Sequence, residues 1–389
     1  MPMCKALLAR GVEVQIVSTD AEPDGHIDVT LESIINYDGV PAIFFKKQWS
    51  EALKYSRALA LWLDRNVAAF DVTHIHGVFS HSCLAAANAC RRHRVPYVIR
   101  PLGSLDPWSL HQKQFRKQIF LRLIGARLLS DAKAIQYVSS SEKLASEDTL
   151  SMNHGVVIPL GAASSTNGVY SDHTTSPVPV VSNQRPYVLV LSRLQPTKAI
   201  DILIEAFISV LQNDKFRAWQ LVIAGDGPPQ YVASLKRIIN ERNARDSVMF
   251  RGWLDGEAKA SALSQASLLA LPSYHENFGL CVVEAMACGV PVLVSPHVSL
   301  AAEIEAARAG WISAVESKPL SNTLAAALGD HNELRRRGAA GRILARKFDW
   351  DSVAEMLIRL YESILLTGKP GPHDVLVPSR AAAINRSNA

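Results

Sequence analysis

Short runs of apolar residues, each separated from the next by a helical pattern, recur along most of the chain. In the first half they predict strands at Val12–Ser18, Val72–His76, Tyr97–Arg100 and Ala134–Val138. In the second half they predict strands at Tyr187–Leu191, Gln220–Ala224, Val248–Phe250, Leu268–Leu271 and Pro291–Ser295. Strands that alternate with helices at this spacing indicate an α/β fold with two doubly wound, mainly parallel sheets.

These elements divide the chain into two predicted domains. The first spans residues 1–165 and the second spans residues 187–348. Residues 166–186 are rich in Ser, Thr, Asn and Pro, which favour turns over packed elements. We therefore expect this segment to be a linker between the two domains.

A helical pattern over residues 349–366 ends the ordered part of the predicted fold. Asp349 or Asp351 is suited to cap this helix at its start. We expect the helix to pack back toward the first domain. Residues 367–389 contain Gly, Pro and Ser with few large apolar residues, and are predicted to be disordered.

The segment between Pro272 and Val292 is the most informative part of the sequence. Its pattern predicts a polar turn and then a helix over Phe278–Cys288, with Gly289 suited to the left-handed cap position. Glu276 lies in the turn and Glu284 on the helix. The free N–H groups of Phe278, Gly279 and Leu280 would face an anion such as a phosphate, and each carboxylate can accept hydrogen bonds from sugar hydroxyls.

A purely structural interpretation of the two acids is also open, because acids are common near helix starts. The segment nevertheless resembles the Glu-x7-Glu signature of retaining glycosyltransferases of family 4. It shares the flanking Pro-Ser and Phe-Gly pairs and the Glu-Ala-Met-Ala-x-Gly-x-Pro-Val tail. The resemblance extends from about Cys4 to Leu365. It implies the GT-B architecture, in which two Rossmann-like domains face each other.

A second phosphate element is expected after the predicted strand Tyr187–Leu191. Arg193 and Lys198 flank the turn that follows this strand, where two cations would neutralise a diphosphate. The alternative is that both are solvated loop cations. The turn resembles the family's Gly-Arg-Leu-x3-Lys-Gly element, with Ser192 and Ala199 where glycines are usual.

Two further segments resemble donor-binding elements of the same family. Gly225 and Gly227 match its Gly-x-Gly-Pro turn, and Trp253 lies in a segment like its Phe-x-Gly element near the nucleobase. Gln230 breaks the Gly-x-Gly-x-x-Gly pattern, so the turn is not a dinucleotide fingerprint. An ordinary turn is the alternative for both segments.

The first domain carries candidates for the acceptor side. His74 and His76 would project from one face of a strand, but no carboxylate or cysteine at ligand spacing supports a zinc site, so we expect no metal. Arg100 and Asp106 lie in a Pro-x-Gly-x-Leu-x-Pro-Trp context that resembles a subgroup of the family lacking the usual His after this strand. His76, Arg100 and Asp106 are therefore candidate acceptor-side residues only.

The charge and cysteine content exclude several other classes. A formal charge of +5 and a pI near 8.9 are mild and give no nucleic-acid signature. The 5 cysteines contain no Cys-x2-Cys pair, so neither a disulfide framework nor a zinc site is indicated. With no secretory signal or membrane-spanning run, we expect a cytoplasmic protein.

Residues 107–130 form a basic amphipathic stretch. They include Lys113, Arg116, Lys117, Arg122 and Arg127, interleaved with apolar residues. Such a stretch suits peripheral contact with anionic lipid at the inner face of the plasma membrane. The alternative is a helix that packs its apolar face on the domain core.

The resemblance implies a metal-independent, retaining glycosyltransferase without a cofactor. A UDP- or GDP-sugar would be the donor, and a glycan or lipid-linked molecule the acceptor, in cell-surface polysaccharide synthesis. Arg193 and Lys198 would hold the diphosphate, Glu284 the ribose, and Glu276 the donor sugar. The alternatives are a catalytically silent nucleotide-sugar-binding homologue and another GT-B enzyme, such as a nucleotide-sugar epimerase.

The start of the sequence reads as the end of a helix, a cap at Gly11 and then a strand. A doubly wound domain of this family would place a strand and a glycine-rich loop before that helix. We therefore expect about 20–40 further residues upstream in the coding sequence, with an apolar strand and a Gly-Gly turn. The alternatives are a natural variant that functions with a trimmed sheet, with an altered acceptor choice, and a decayed copy without activity.

Overall fold

The structure is a computed structural model that describes residues 1–22, 25–49, 53–111, 114–162 and 185–368. Most of the predicted linker and most of the predicted disordered tail lie outside the described residues.

The first half contains seven α-helices and nine strands within the described ranges. The helices are α1 (Pro2–Ala9), α2 (Arg57–Asn66), α3 (His81–His93), α4 (Pro107–His111), α5 (Gln114–Phe120), α6 (Ala126–Ser130) and α7 (Ser140–Leu150). The strands are β1 (Ile16–Thr19), β2 (Ala21–Glu22), β3 (Gly25–His26), β4 (Ile34–Tyr37), β5 (Val40–Phe45), β6 (Thr73–His76), β7 (Tyr97–Arg100), β8 (Ala134–Tyr137) and β9 (Gly155–Val157).

Three sheets form from these strands. β6, β7, β8 and β9 make a parallel sheet in that order, while β1, β5 and β4 make a second sheet and β2 and β3 a third. All four predicted strands of this half are present, but β1 begins at Ile16 and not at Val12. Among the described residues β1 pairs only with β5, and β6 only with β7. The expectation of a strand encoded upstream stays a prediction.

The β4–β5 hairpin was not predicted, although the sequence carries a signal for it. Asp38 and Gly39 join the two antiparallel strands, and both have positive φ, 51° and 80°. An Asp-Gly pair favours this type of two-residue turn. The Asn36 side chain accepts a hydrogen bond from the Gly39 N–H at 2.8 Å and stabilises the turn.

The second half is built around one six-stranded parallel sheet. Its strands are β10 (Tyr187–Leu191), β11 (Gln220–Ala224), β12 (Val248–Gly252), β13 (Leu268–Leu271), β14 (Val292–Val294) and β15 (Gly310–Ile312). Its helices are α8 (Ile200–Leu211), α9 (Pro229–Glu241), α10 (Gly256–Gln265), α11 (Leu280–Ala287), α12 (Ala301–Ala306), α13 (Ser317–Leu328) and α14 (His331–Ala345). All five strands predicted for this half are confirmed, and the short edge strand β15 was missed.

The strand order β12-β11-β10-β13-β14-β15 places the functional crevice. After β10, the chain adds β11 and β12 on one side of it. The chain then crosses over and adds β13, β14 and β15 on the other side. A ligand of such a sheet binds outside the carboxyl ends of the strands where the order reverses. Here that point lies between β10 and β13.

Apolar helices cover both faces of this sheet. Val188 and Val190 of β10 pack in the cluster that includes α8 and α13, while Leu189 and Leu191 pack in the cluster that includes α11. All four side chains are buried. Fully covered strands of this kind read as continuous apolar runs, which is why the sequence predicted them well.

The last helix, α15 (Trp350–Thr367), returns to the first half of the chain. Asp349 caps it, because its carboxylate accepts a hydrogen bond from the Ser352 N–H at 2.6 Å. Its buried face, which includes Leu357 and Leu360, packs against α1 and against the parallel sheet of the first half.

Candidate functional site

Two turns meet at the switch point between β10 and β13. The turn after β10 carries Lys198, and the loop after β13 carries Glu276. The Tyr274 N–H donates a hydrogen bond to the Thr197 carbonyl at 2.9 Å and holds the two turns together. Lys198 Nζ lies 2.5 Å from Glu276 Oε2, with both side chains largely buried. Two residues that the sequence places 78 positions apart thus form one ion pair.

Helix α11 begins later than predicted. Gly279 takes the left-handed conformation, with φ 78°, and the helix starts at Leu280. Phe278 is buried and packs edge-on against Phe348 at 5.7 Å between ring centroids. The predicted helix start at Phe278 is therefore wrong by two residues, because the chain turns at Gly279, while the expectation that the Phe278 N–H faces an anion stays a prediction. Leu280 and Cys281 supply the first helical N–H groups.

Glu284 is held by a cation that the sequence analysis missed. Lys259 on α10 places its Nζ 2.6 Å from Glu284 Oε1. Glu284 Oε2 is buried and accepts no hydrogen bond within the described part of the chain. No local pattern could have shown this pairing, because only the packing of α10 beside α11 creates it.

Cys281 lies at the centre of the charged groups. Burial, together with the negative charges of Glu276 and Glu284, raises the pKa of its thiol to about 12. Lys198 and Lys259 act in the opposite direction. A thiol with so high a pKa stays protonated at neutral pH, so Cys281 adds no charge to this group of residues.

Gly225 and Gly227 allow the turn after β11 to pack directly against the turn after β10. A Cβ atom on Gly225 would lie 1.8 Å from the Ser192 carbonyl oxygen, and one on Gly227 would lie 1.9 Å from that of Leu194. The Leu194 N–H also donates to the Asp226 carbonyl at 2.8 Å. Both glycines thus have a packing role, which fixes the path of the turn that carries Arg193.

Two positions in that turn differ from the glycines usual in the family pattern. Ala199 is fully buried with φ 50°, a conformation that is unfavourable for a residue with a Cβ. Ser192 has a buried hydroxyl without a partner among the described residues. Between them, Arg193 is exposed and makes no hydrogen bond or ion pair in the described ranges. The turn therefore carries both cations, Arg193 and Lys198, with Ser192 and Ala199 at the two positions where glycines are usual.

Trp253 follows the carboxyl end of β12, so it lies at the same end of the sheet as Lys198 and Glu276. Its side chain is 64% exposed. The preceding Gly252 accepts a hydrogen bond from the Gly225 N–H at 2.6 Å. This contact ties the Trp253 loop to the Gly225 turn. The structure thus brings both predicted donor-binding segments to one end of the sheet.

His76 and Arg100 are neighbours in the first half. They are register partners at the ends of β6 and β7, so their side chains lie on the same face of the sheet. The prediction that His74 and His76 share one face of the strand is confirmed, and their rings stack at 4.6 Å between centroids. The His76 residue is exposed at the strand end, but desolvation of its ring and the positive charge of Arg100 lower its pKa to about 4. Within the described residues no group of three or more potential metal ligands occurs.

Asp106 touches the second half of the chain beside Glu276. Asp106 Oδ1 lies 3.7 Å from His275 Nε2, and the Ser141 hydroxyl donates to that of Ser299 at 2.9 Å. Gly103, with φ 73°, lies against Asn277, where a Cβ would approach the amide nitrogen to 2.0 Å. The loop between β7 and α4 therefore faces the loop that carries Glu276.

The basic segment 107–130 divides into buried and exposed parts. Leu128 and Leu129 are buried in the core of the first half, in agreement with the packing alternative. Phe115 and Ile119, one helical turn apart, are 77% and 43% exposed. Lys113 lies outside the described residues. Over the described ranges, no helix is long and apolar enough to cross a membrane.

Sequence and structure comparisons place both halves of the chain. The family profile described as "Glycosyltransferase Family 4" matches residues 2–163, and that described as "Glycosyl transferases group 1" matches residues 173–344. D-inositol 3-phosphate glycosyltransferase of Nocardia farcinica is 33% identical over 185 residues, covering 46% of this chain and 41% of the relative. The chain thus matches less than half of that relative's length.

Solved structures share the fold over almost the whole chain. Sucrose-phosphate synthase of Thermosynechococcus elongatus superimposes with a TM-score of 0.67 at 21% identity, covering 93% of this chain and 91% of that one. HepE of Anabaena, solved in complex with UDP, gives 0.69 at 18% identity, covering 93% and 96%. At these identities the likeness shows the fold. Because profiles match both halves and the fold agrees, the chain belongs to glycosyltransferase family 4 and has the GT-B architecture.

Proposed function

We propose that the chain transfers a sugar from a nucleoside diphosphate donor to a glycan or lipid-linked acceptor, with retention of configuration. The observation that carries the proposal is the pair of Lys–Glu contacts at the switch point, Lys198 with Glu276 and Lys259 with Glu284. They place two carboxylates and two ammonium groups at the end of the sheet where such a ligand binds. Glu284 Oε2 still lacks a partner in the described residues, so it can accept a ribose hydroxyl.

The proposed donor position follows from this geometry. The diphosphate lies at the start of α11, where Leu280 and Cys281 offer free N–H groups and Gly279 lets the backbone approach closely. Lys198 and the exposed Arg193 neutralise its charge. The ribose binds Glu284, and the sugar binds Glu276. The exposed Trp253 ring offers a surface for the base.

In the proposed reaction the bond between the anomeric carbon and the diphosphate oxygen breaks. The acceptor oxygen attacks from the same face, and its proton passes to an oxygen of the departing diphosphate. Negative charge grows on the leaving group as the bond breaks. Lys198 and Arg193 stabilise that charge, so the proposal needs no metal or cofactor.

The acceptor enters, in this proposal, from the first half of the chain. Asp106 lies beside His275, next to the residue assigned to the donor sugar. The name of the Nocardia relative includes inositol 3-phosphate, a polar molecule. A polar acceptor also suits the ends of β6 and β7, where His76 and Arg100 lie. A role in cell-surface polysaccharide synthesis is part of the same proposal.

We also propose that the exposed part of segment 107–130 contacts an anionic membrane surface. Phe115 and Ile119 offer apolar contact, while Arg122 and Arg127 are exposed cations. Sedimentation with phosphatidylglycerol vesicles tests this, with neutral phosphatidylcholine vesicles as the control. Phe115→Ser with Ile119→Ser should reduce binding to the anionic vesicles. Equal binding to both vesicle types would contradict the proposal.

The activity is tested with a panel of UDP- and GDP-sugars and a mixed set of glycan acceptors. Release of nucleoside diphosphate together with a glycosylated product supports transfer. A protein that binds the nucleotide and releases none of it is a silent homologue, and one that isomerises the donor sugar is an epimerase. A thermal-shift screen with UDP and GDP identifies the base, since a ligand at 100 times its Kd stabilises by about 2.7 kcal/mol.

A further inference from the structure

Arg100 is a buried cation without a hydrogen-bond acceptor. Only 7% of its surface is accessible, and its side chain makes no hydrogen bond or ion pair within the described part of the chain. Its Nε is fully buried without a partner. Buried guanidinium groups are normally paired, because removing the charge from water is costly unless an acceptor replaces the water.

Glu142 is the carboxylate with the largest electrostatic effect on Arg100, but both of its oxygens already accept hydrogen bonds. Glu142 accepts these bonds from the backbone N–H groups of Val138, at 2.8 Å, and Gly103, at 3.0 Å. It therefore fixes the loop after β7 and leaves the guanidinium without a direct contact. Tyr361 and His74 face the same region, but they bond to each other at 2.6 Å.

The position of Arg100 is suited to a ligand. It ends β7 on the sheet face that α15 covers, beside His76 on β6 and next to Gln136 on β8. Gln136 Nε2 donates to the Ile158 carbonyl at 3.0 Å and is thus held in place. The loop that follows Arg100 leads directly to Asp106, which touches His275.

We propose that Arg100, with His76 beside it, binds a phosphate or carboxylate group carried by the acceptor. A guanidinium offers several N–H donors in a planar fork that matches both kinds of anion. The neutral His76 ring can donate one further hydrogen bond without adding charge. The proposal rests on the proposed glycosyl transfer, for which it names the acceptor class.

The test uses glycerol 3-phosphate as the probe and glycerol as its neutral counterpart. Calorimetry is performed with the whole chain saturated with UDP, so that the phosphate probe cannot occupy the donor's diphosphate position. Wild-type protein should bind glycerol 3-phosphate and not glycerol. Arg100→Gln should bind the probe roughly ten- to a hundredfold more weakly, as for the loss of hydrogen bonds to a charged group.

Two variants serve as controls. Arg337→Gln removes an arginine that is ion-paired with Glu333 and stacks on Trp311, and it should leave probe binding unchanged. Arg100→Lys keeps the charge but not the planar fork, so a smaller loss is expected. If Arg100→Gln does not fold, Arg100→Lys is used for the test in its place.

Unchanged affinity in both Arg100 variants, or probe binding that disappears when UDP is present, would overturn the proposal. Binding of inorganic phosphate but not of glycerol 3-phosphate would overturn the assignment to an acceptor. If the protein fails to bind UDP, the proposed function fails. The titration without UDP then still decides whether Arg100 binds an anion.

Discussion

Lys259 Nζ lies 2.6 Å from Glu284 Oε1, while Glu284 Oε2 is buried without a partner among the described residues. Lys259 thus orients the carboxylate so that one oxygen is occupied and the other is presented to a ligand. Lys259→Met should weaken UDP or GDP binding about tenfold, because Glu284 loses its fixed orientation and its charge partner. Lys318→Met, at an exposed position on α13, is the matched control. Calorimetry in which both variants bind like the wild type would contradict this role.

Arg193→Ala and Lys198→Ala should each reduce kcat by on the order of 10²–10³ once a donor and acceptor are known, because each removes a charge that stabilises the departing diphosphate. Their effects on stability should differ. Arg193 is exposed without a partner in the described ranges, so its loss should leave the melting temperature unchanged. Lys198→Ala leaves the largely buried Glu276 unpaired and should therefore lower the melting temperature. Near-normal kcat in both purified variants would refute the assignment.

Substitution of Glu284 should affect nucleotide binding, and substitution of Glu276 should affect sugar transfer. Glu284→Ala should weaken binding of the free nucleoside diphosphate, because the ribose loses its acceptor. Glu276→Ala should spare that binding and abolish sugar transfer, because only Glu276 is assigned to the sugar. Calorimetry with the free diphosphate and a transfer assay measure the two effects. Equal losses of diphosphate affinity in both variants would show that the roles are not divided.

The depressed pKa of His76 predicts a pH effect on stability. The pKa of His76 in the folded protein is lowered to about 4, against an ordinary value of 6.5. Between these values the unfolded chain binds more protons, so the free energy of unfolding falls as pH decreases from 6.5 toward 4. His76→Gln should make this fall shallower, whereas His331→Gln on α14 should not. Identical pH profiles of urea denaturation for wild type and His76→Gln would contradict the prediction.

Tyr361 connects the last helix to the first half of the chain. Its hydroxyl lies 2.6 Å from His74 Nδ1 in a largely buried setting. Tyr361→Phe should lower the free energy of unfolding by about 1 kcal/mol, the usual net contribution of such a bond. Tyr274→Phe, at a half-exposed ring, should change it by less. Equal stability of Tyr361→Phe and the wild type in urea denaturation would show that the bond contributes nothing.

The sequence by itself determined the α/β class and nearly all the parallel strands. Buried parallel strands such as β10 and β13 are continuous apolar runs, and a local run needs no knowledge of its neighbours to be recognised. The cap at Asp349 and the left-handed Gly289 were equally local, since each depends on one residue next to a helix end. The family pattern around Glu276 and Glu284 was visible for the same reason.

Only the tertiary structure decided how the charged groups pair. Lys198 meets Glu276, and Lys259 meets Glu284, because the switch point of the sheet brings separate turns together. Phe278 lies just before α11 and packs against Phe348, a contact between distant parts of the chain that no local pattern encodes. The unpartnered guanidinium of Arg100 is likewise a property of packing, because its burial arises from three strands and α15. Contacts between residues far apart in the chain are set by the fold as a whole, and local patterns do not reveal them.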